Sequence, residues 1–275
     1  GNGSDEVLSL SYAAFFGGED KPVLQADVTY SFYEVFGSLY GAGFRKVPLL
    51  PDFRLDIKGM AALCGESCGC VFANPNAPTS IAEEREDLLE LVRAFEGKAV
   101  IADEAYADFS HVGTLAGDIR DYPNLLVVKT FSKSRSLAGA RCGYAVGDKA
   151  LIDVLRTVKN CFNSYPVNAV TAAVAEAALR DTAYFRDCVS RILRTRDSLI
   201  AALRALRFDV PDSDANFVFA EHPDVGGEEL QRALRARGIV VRRFDRPRIA
   251  DRLRITVGTD EDIEALTGAL KSILG

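Results

Sequence analysis

Two rhythms of apolar and polar positions run along the chain. After Ser4-Asp5-Glu6 the run VLSLSYAAFFG carries apolar residues at helical spacing, and the polar triplet ahead of it predicts a helix start with Ser4 as the capping residue. PVLQAD predicts a short strand, and SFYEVFGSLYGAG a helix stopped by glycine. FRKVPLL and CVFAN are strand-like runs. IAEEREDLLELVRAFEG predicts a helix with acids in its first turn, where the helix dipole favours them. KAVIADEAY is an apolar strand ending in acid, and NLLVVKT is the next strand. Such alternation predicts an α/β unit with a mostly parallel sheet flanked by helices.

The pattern changes after KALIDVLRTVKN. A long helical stretch is predicted from Val170 to Leu206. The strands NFVFAE, GIVVRR and RLRITVG follow, with helices over GGEELQRALRARG and DEDIEALTGALKSIL. This predicts a smaller C-terminal α+β domain at 166–275, behind a large domain at 1–165.

The 275 residues are 48% hydrophobic and 26% charged, which suits a globular protein with a large core. No apolar run reaches membrane-spanning length, so no membrane partner is expected. A net charge of −6 argues against nucleic acid as the partner. Three of the six cysteines cluster in CGESCGC, but His111 and His222 do not complete a metal-ligand spacing, and no metal is expected. Scattered thiols without a visible secretory signal predict a cytoplasmic protein.

Ligands of open α/β sheets bind beyond the carboxyl ends of the strands. Four polar groups lie there or at a helix start. In GNGSDE, the backbone around Gly3, Ser4 and Asp5 could cradle a phosphate, or simply cap a helix. FANPNAPTS is a rigid turn whose asparagine amide could meet a ligand oxygen. In VIADEAY, Asp103 ends an apolar strand; it either caps the next turn or faces a cation such as a protonated ring nitrogen, with Tyr106 nearby. In VVKTFSKSRSLAGARCGY, Lys133 is either a solvated lysine or an amine that condenses with an aldehyde. Condensation requires loss of its proton, which burial or nearby positive charge favours. Thr130, Ser132 and Arg141 would then hold a phosphate. Together the four groups supply what pyridoxal 5'-phosphate chemistry needs: an amine, a carboxylate for a pyridinium, a phenol and phosphate donors.

The ordered series GNGSDE, DVTYSFY, NPNAPT, ADEAY, TFSKSRSLAGARCGY, SYPVN, NFVF and FDRPRIADRLRITVG resembles the histidinol-phosphate aminotransferases, of the fold-type-I, aspartate-aminotransferase-like enzymes, from Gly1 to the C-terminus. The resemblance implies a PLP-dependent aminotransferase of histidine biosynthesis, a cytoplasmic homodimer acting on small amino and keto acids, one of them phosphorylated. By motif, Lys133 would join the cofactor and move protons, and Asp103 would pair with the pyridine nitrogen. Tyr106 would bond the ring oxygen and Tyr30 would stack on the ring. Gly3, Ser4, Asp5, Thr130, Ser132 and Arg141 would hold the phosphate. Arg254, with Arg243, would bind the substrate anion.

The chain departs from the family pattern in three ways, one of them Ser80 where relatives close the NPNNPTG turn with glycine. Ala77 stands where relatives often carry the asparagine that touches the ring oxygen, so Asn76 is the expected substitute. Relatives also carry an arm and helix ahead of GNGSDE, which implies a trimmed start or a short paralogue with impaired substrate closure. Two alternatives use the same scaffold: a threonine-phosphate decarboxylase and an aromatic aminotransferase. A third is a non-catalytic remnant.

Overall fold

Runs of apolar residues become the centre of one six-stranded sheet. The computed structural model describes residues 1–275. Its first elements are α1 (Ser4–Phe15), β1 (Val23–Ala26), α2 (Phe32–Tyr40), β2 (Phe44–Val47), α3 (Ile57–Ala62), β3 (Gly69–Ala73), α4 (Arg85–Ala94), β4 (Val100–Asp103), β5 (Leu125–Thr130) and β6 (Gly143–Gly147). The strand order is β2-β1-β3-β4-β5-β6. Neighbours from β2 to β5 run parallel, and β6 closes the edge antiparallel to β5.

Strands β1, β3 and β4 are buried along their whole length, as expected for parallel strands covered on both faces. Side chains alternate between the faces. Val100, Ala102, Leu125 and Val127 pack with Leu88, Leu91 and Val92 of α4 on one side. Ile101, Leu126 and Val128 pack with Val7 and Leu8 of α1 on the other.

The chain continues through α5 (Lys149–Phe162), α6 (Ala169–Arg180), α7 (Thr182–Ala205), β7 (Phe217–Ala220), α8 (Gly227–Arg235), β8 (Arg242–Arg243), β9 (Leu253–Thr256) and α9 (Asp260–Leu274). A second, antiparallel sheet has the order β7-β9-β8. Its core joins Val218, Leu253 and Ile255 to Leu199 and Leu203 of α7, Leu230 of α8 and Leu266 of α9. Phe219 and Ile249 instead enter the core of the first sheet, where the Phe219 ring meets Phe53 edge-on at 5.9 Å.

The structure differs from the sequence expectations at several places. The long helix predicted from Val170 to Leu206 is two helices, because the Asp181 carboxylate accepts from Tyr184 N–H and starts α7 afresh. Ser4 is not a cap: the cap position is Gly3, at φ 84° and ψ 172°, and Ser4 is already helical. GIVVRR pairs only over its last two residues. The unforeseen β6 is glycine-bounded and half-exposed, so it lacks the apolar signature of the central strands.

Candidate active site

The carboxyl ends of β3, β4 and β5 open into one cavity of about 230 Å³. β3 leads into Ala73, Pro75 and Ala77; β4 ends at Asp103 and leads to Ala105 and Tyr106; β5 ends at Thr130 and leads to Ser132 and Lys133. Ser4 and Asp5 from the start of α1, Tyr30 ahead of α2, Ala138, Arg141 ahead of β6 and Arg254 of β9 complete the lining. Ten of the thirteen site residues expected from sequence therefore line a single space: Ser4, Asp5, Tyr30, Asp103, Tyr106, Thr130, Ser132, Lys133, Arg141 and Arg254.

Asp103 is 5% exposed. Its Oδ2 accepts from the Tyr33 hydroxyl at 2.8 Å, and its Oδ1 accepts from Ala105 N–H at 3.1 Å. Burial pushes its pKa up to about 6, against the opposing effect of those two hydrogen bonds. A cation inside the cavity would reverse that shift. The Lys133 amine lies 5.4 Å from the centroid of the Tyr106 ring. Phe217 meets the other side of the same group of side chains: its ring is edge-on to Tyr106 at 5.0 Å and 4.9 Å from the Arg254 guanidinium carbon. Arg254 Nε is buried without a hydrogen-bond partner.

An anion seat forms where α1 meets β6. The first N–H groups of a helix have no acceptor within it, and here they belong to Ser4 and Asp5. Arg141 reaches the same corner in a left-handed backbone conformation, donating from Nη2 to Asn2 O at 3.3 Å. Thr130 Oγ1 donates to Ser132 Oγ at 3.0 Å and accepts from Ser132 N–H at 3.1 Å. The seat is tight because two glycines permit it. A Cβ on Gly3 would stand 2.4 Å from Arg141 Nη2, and one on Gly143 would stand 2.4 Å from Gly3 C and Ser4 N.

Asp5 offers the seat only its backbone, since its carboxylate accepts from the Tyr30 hydroxyl at 2.9 Å and pairs with Arg141 at 3.6 Å. Burial, and then the neighbouring carboxylates, hold the Tyr30 and Tyr33 phenols well above their ordinary pKa, so both are neutral donors.

Three expected residues lie outside the lining. Gly3 backs Arg141 rather than facing the cavity. Asn76 turns into the protein: its Oδ1 accepts from Thr29 Oγ1 at 2.8 Å, and its Nδ2 donates to Val28 O at 2.9 Å and Thr79 Oγ1 at 3.0 Å. Its amide is spent on holding the turn, and Ala77 takes the cavity side, packed with Phe217 and Tyr106. The Arg243 guanidinium donates from Nε to Ala250 O at 2.7 Å and braces its own loop. Sequence reasoning missed Tyr33, although it lies one helical turn beyond Tyr30, and Phe217, which reads in sequence as an ordinary strand residue.

These residues fit pyridoxal phosphate: an amine, a buried carboxylate lacking a cation, neutral phenols and an anion seat share one cavity. A family model, aminotransferase class I and II, matches residues 1–270. Histidinol-phosphate aminotransferase 1 of Bordetella parapertussis is 48% identical over 99% of this chain and 76% of that protein. Histidinol-phosphate aminotransferase of Gluconacetobacter diazotrophicus is 47% identical over 100% and 76%. The crystal structure of the Sinorhizobium meliloti histidinol-phosphate aminotransferase in complex with pyridoxal-5'-phosphate shares the fold, with TM-score 0.89 and 24% identity over 100% of this chain and 76% of that one. The chain belongs to the class I and II aminotransferases, within their histidinol-phosphate aminotransferase family.

Proposed function

We propose that the cavity around Lys133 carries amino transfer between glutamate and 2-oxoglutarate on one side and L-histidinol phosphate and its keto product on the other. The chain is a pyridoxal-phosphate-dependent aminotransferase acting on small amino and keto acids. The substrate pair follows the names of its relatives. The observation that carries the reading is the shared cavity of Lys133, Asp103 and the Arg141 corner.

Bound pyridoxal phosphate would supply a reactive carbonyl and an electron-withdrawing ring. Lys133 Nζ would hold its carbonyl carbon, and later take and return the proton at the substrate's α-carbon. The Asp103 carboxylate would face the ring nitrogen and keep its proton in place. Tyr106 and Tyr30 would orient the ring. Ser4 and Asp5 N–H, Thr130, Ser132 and Arg141 would bind the phosphate. Arg254 would bind the carboxylate or phosphate of the substrate; its partnerless Nε supports that role.

The largely distinct cores of the two sheets, bridged by Phe219 and Ile249, support a large domain at 1–165 and a small one at 166–275. We also place the protein in the cytoplasm as a homodimer. Six free thiols suit a reducing compartment. Phe162 at the end of α5, Tyr165 in the link and Val170 at the start of α6 are exposed, which suits burial against a second copy.

The test is a spectrum of the protein titrated with pyridoxal phosphate and then with glutamate. Wild type gains the visible band of a lysine-bound aldehyde and loses it on glutamate. Product analysis with L-histidinol phosphate, phosphothreonine and aromatic amino acids then separates this reading from the decarboxylase and aromatic alternatives. A protein that stays colourless with the cofactor would refute it.

A further inference from the structure

We propose that Tyr33 is the positioning residue for the Asp103 carboxylate: its buried hydroxyl fixes that group from behind and keeps it ionised for a cationic ring. The inference rests on the cofactor reading above.

The geometry leaves Tyr33 one task. It is fully buried in α2 and does not line the cavity, yet its hydroxyl lies 2.8 Å from Asp103 Oδ2. Its ring is clamped in place, stacked on Tyr12 at 6.5 Å and edge-on to Tyr30 at 5.6 Å. Two tyrosines three residues apart thus serve one site in different ways: Tyr30 forms its wall and Tyr33 holds its acid. Ala105 N–H holds the other oxygen, so the carboxylate is fixed at both atoms.

A phenol that donates to a carboxylate favours its charged form. Burial opposes that form and raises the Asp103 pKa; the charges of Asp5 and Glu104 raise it further. Tyr12 and Tyr30 also face it as neutral phenols, and Lys133, Arg141 and Arg254 share its cavity. Among these groups, Tyr33 gives the largest effect in favour of ionisation. Tyr12 provides an internal control, since its hydroxyl is buried in the same aromatic stack without any partner.

The dissociation constant for pyridoxal phosphate is measured on wild type, Tyr33→Phe and Tyr12→Phe between about pH 5.5 and 8.5. Titration of the ligand itself is common to all three, so ratios between proteins isolate Asp103. A charge-assisted hydrogen bond is worth about one pH unit or more, so Tyr33→Phe moves the break in affinity upward by about one unit. Binding is then about fivefold weaker at pH 6 and less than about twofold weaker at pH 8. Tyr12→Phe leaves the break in place. A uniform weakening at every pH would reduce Tyr33 to a packing role and overturn the proposal.

A second measurement needs no cofactor. Asp103 titrates at a higher pH in the folded chain than in the unfolded chain, so stability falls as pH rises through its folded value. Tyr33→Phe raises that value, so its deficit in urea stability against wild type widens from about pH 5 to 8. A constant deficit overturns the proposal. Should wild type fail to bind the cofactor, the functional reading falls, while this measurement still decides the bond between Tyr33 and Asp103.

Discussion

Replacing Gly3 with alanine should separate two consequences of one missing methyl group. The first is backbone strain. Gly3 sits at φ 84° and ψ 172°, a region that is essentially closed to other residues and costs them about 1–3 kcal/mol. The second is steric. The new Cβ would stand 2.4 Å from Arg141 Nη2 and 2.9 Å from its Cζ. A guanidinium is the mobile end of a long side chain, so Arg141 swings out rather than unfolding the corner. The anion seat then loses its cation, an interaction worth about 1.5–3 kcal/mol, or about 10- to 100-fold in affinity.

Urea unfolding should therefore show a loss of about 1–3 kcal/mol in Gly3→Ala. Affinity for pyridoxal phosphate should fall, while affinity for pyridoxal, which lacks the phosphate, should scarcely change. Gly143→Ala should be worse on both counts, because its Cβ would meet Gly3 C and Ser4 N, which are backbone and cannot swing aside. A Gly3→Ala protein within about 0.5 kcal/mol of wild type, with its preference for the phosphorylated ligand intact, would refute the account of this corner.

Other perturbations test the remaining parts. Lys133→Ala should bind pyridoxal phosphate without developing the visible band, and turnover should drop by about a thousandfold or more, read by coupled assay. Arg254→Ala should raise the KM for glutamate by about 10- to 100-fold in steady-state kinetics, and Arg254→Lys should recover only part, because lysine lacks the planar fork. Asp103→Asn should stabilise the cofactor-free protein at pH 7.5 by about 1–3 kcal/mol, with the gain disappearing near pH 4 in urea titrations. The sign follows from the carboxyl pKa, which stands at about 6 in the folded chain against an ordinary 3.8. Gln25→Met should raise the melting temperature, since both amide atoms of this buried side chain lack partners and removing them relieves about 1–2 kcal/mol.

The central strands were legible because burial on both faces writes them as short apolar runs, and the site was legible because its side chains follow the ends of those runs. Two misplacements show where that logic stops. Asn76 and Ala77 are adjacent in one turn, and only the backbone path decides which of them faces the ligand; the bonds from Thr29 and to Val28 draw Asn76 inward. Arg243 and Arg254 both lie in arginine-rich strands, but the register pairs Arg242 with Arg254 and Arg243 with Leu253. The pleat then puts Arg243 on the face opposite Arg254. Register depends on strand pairing, which the arginine pattern does not encode. Tyr33 was hidden for a related reason: a buried aromatic at helical spacing reads as core, and its hydroxyl acquires meaning only when β4 brings Asp103 within 2.8 Å.

The cavity concentrates features that a fold selected for stability alone would remove. Asp103 is a buried carboxylate without a cation, Arg254 Nε is buried without an acceptor, and Arg141 is held at positive φ. Each is unfavourable by itself, whereas the buried Glu104 has Lys129 beside it, and Arg252 has Asp209 and Glu221 within ion-pair distance. A ligand that relieves the strained set must bring a cation to Asp103, an anion to the Arg141 corner and another anion to Arg254. A phosphorylated pyridinium supplies the first two, and the carboxylate of an amino acid joined to it supplies the third. On this view, binding energy is stored in the cavity as electrostatic imbalance. Removing the imbalance at Asp103 should therefore make the protein more stable and a poorer binder of the cofactor in the same substitution.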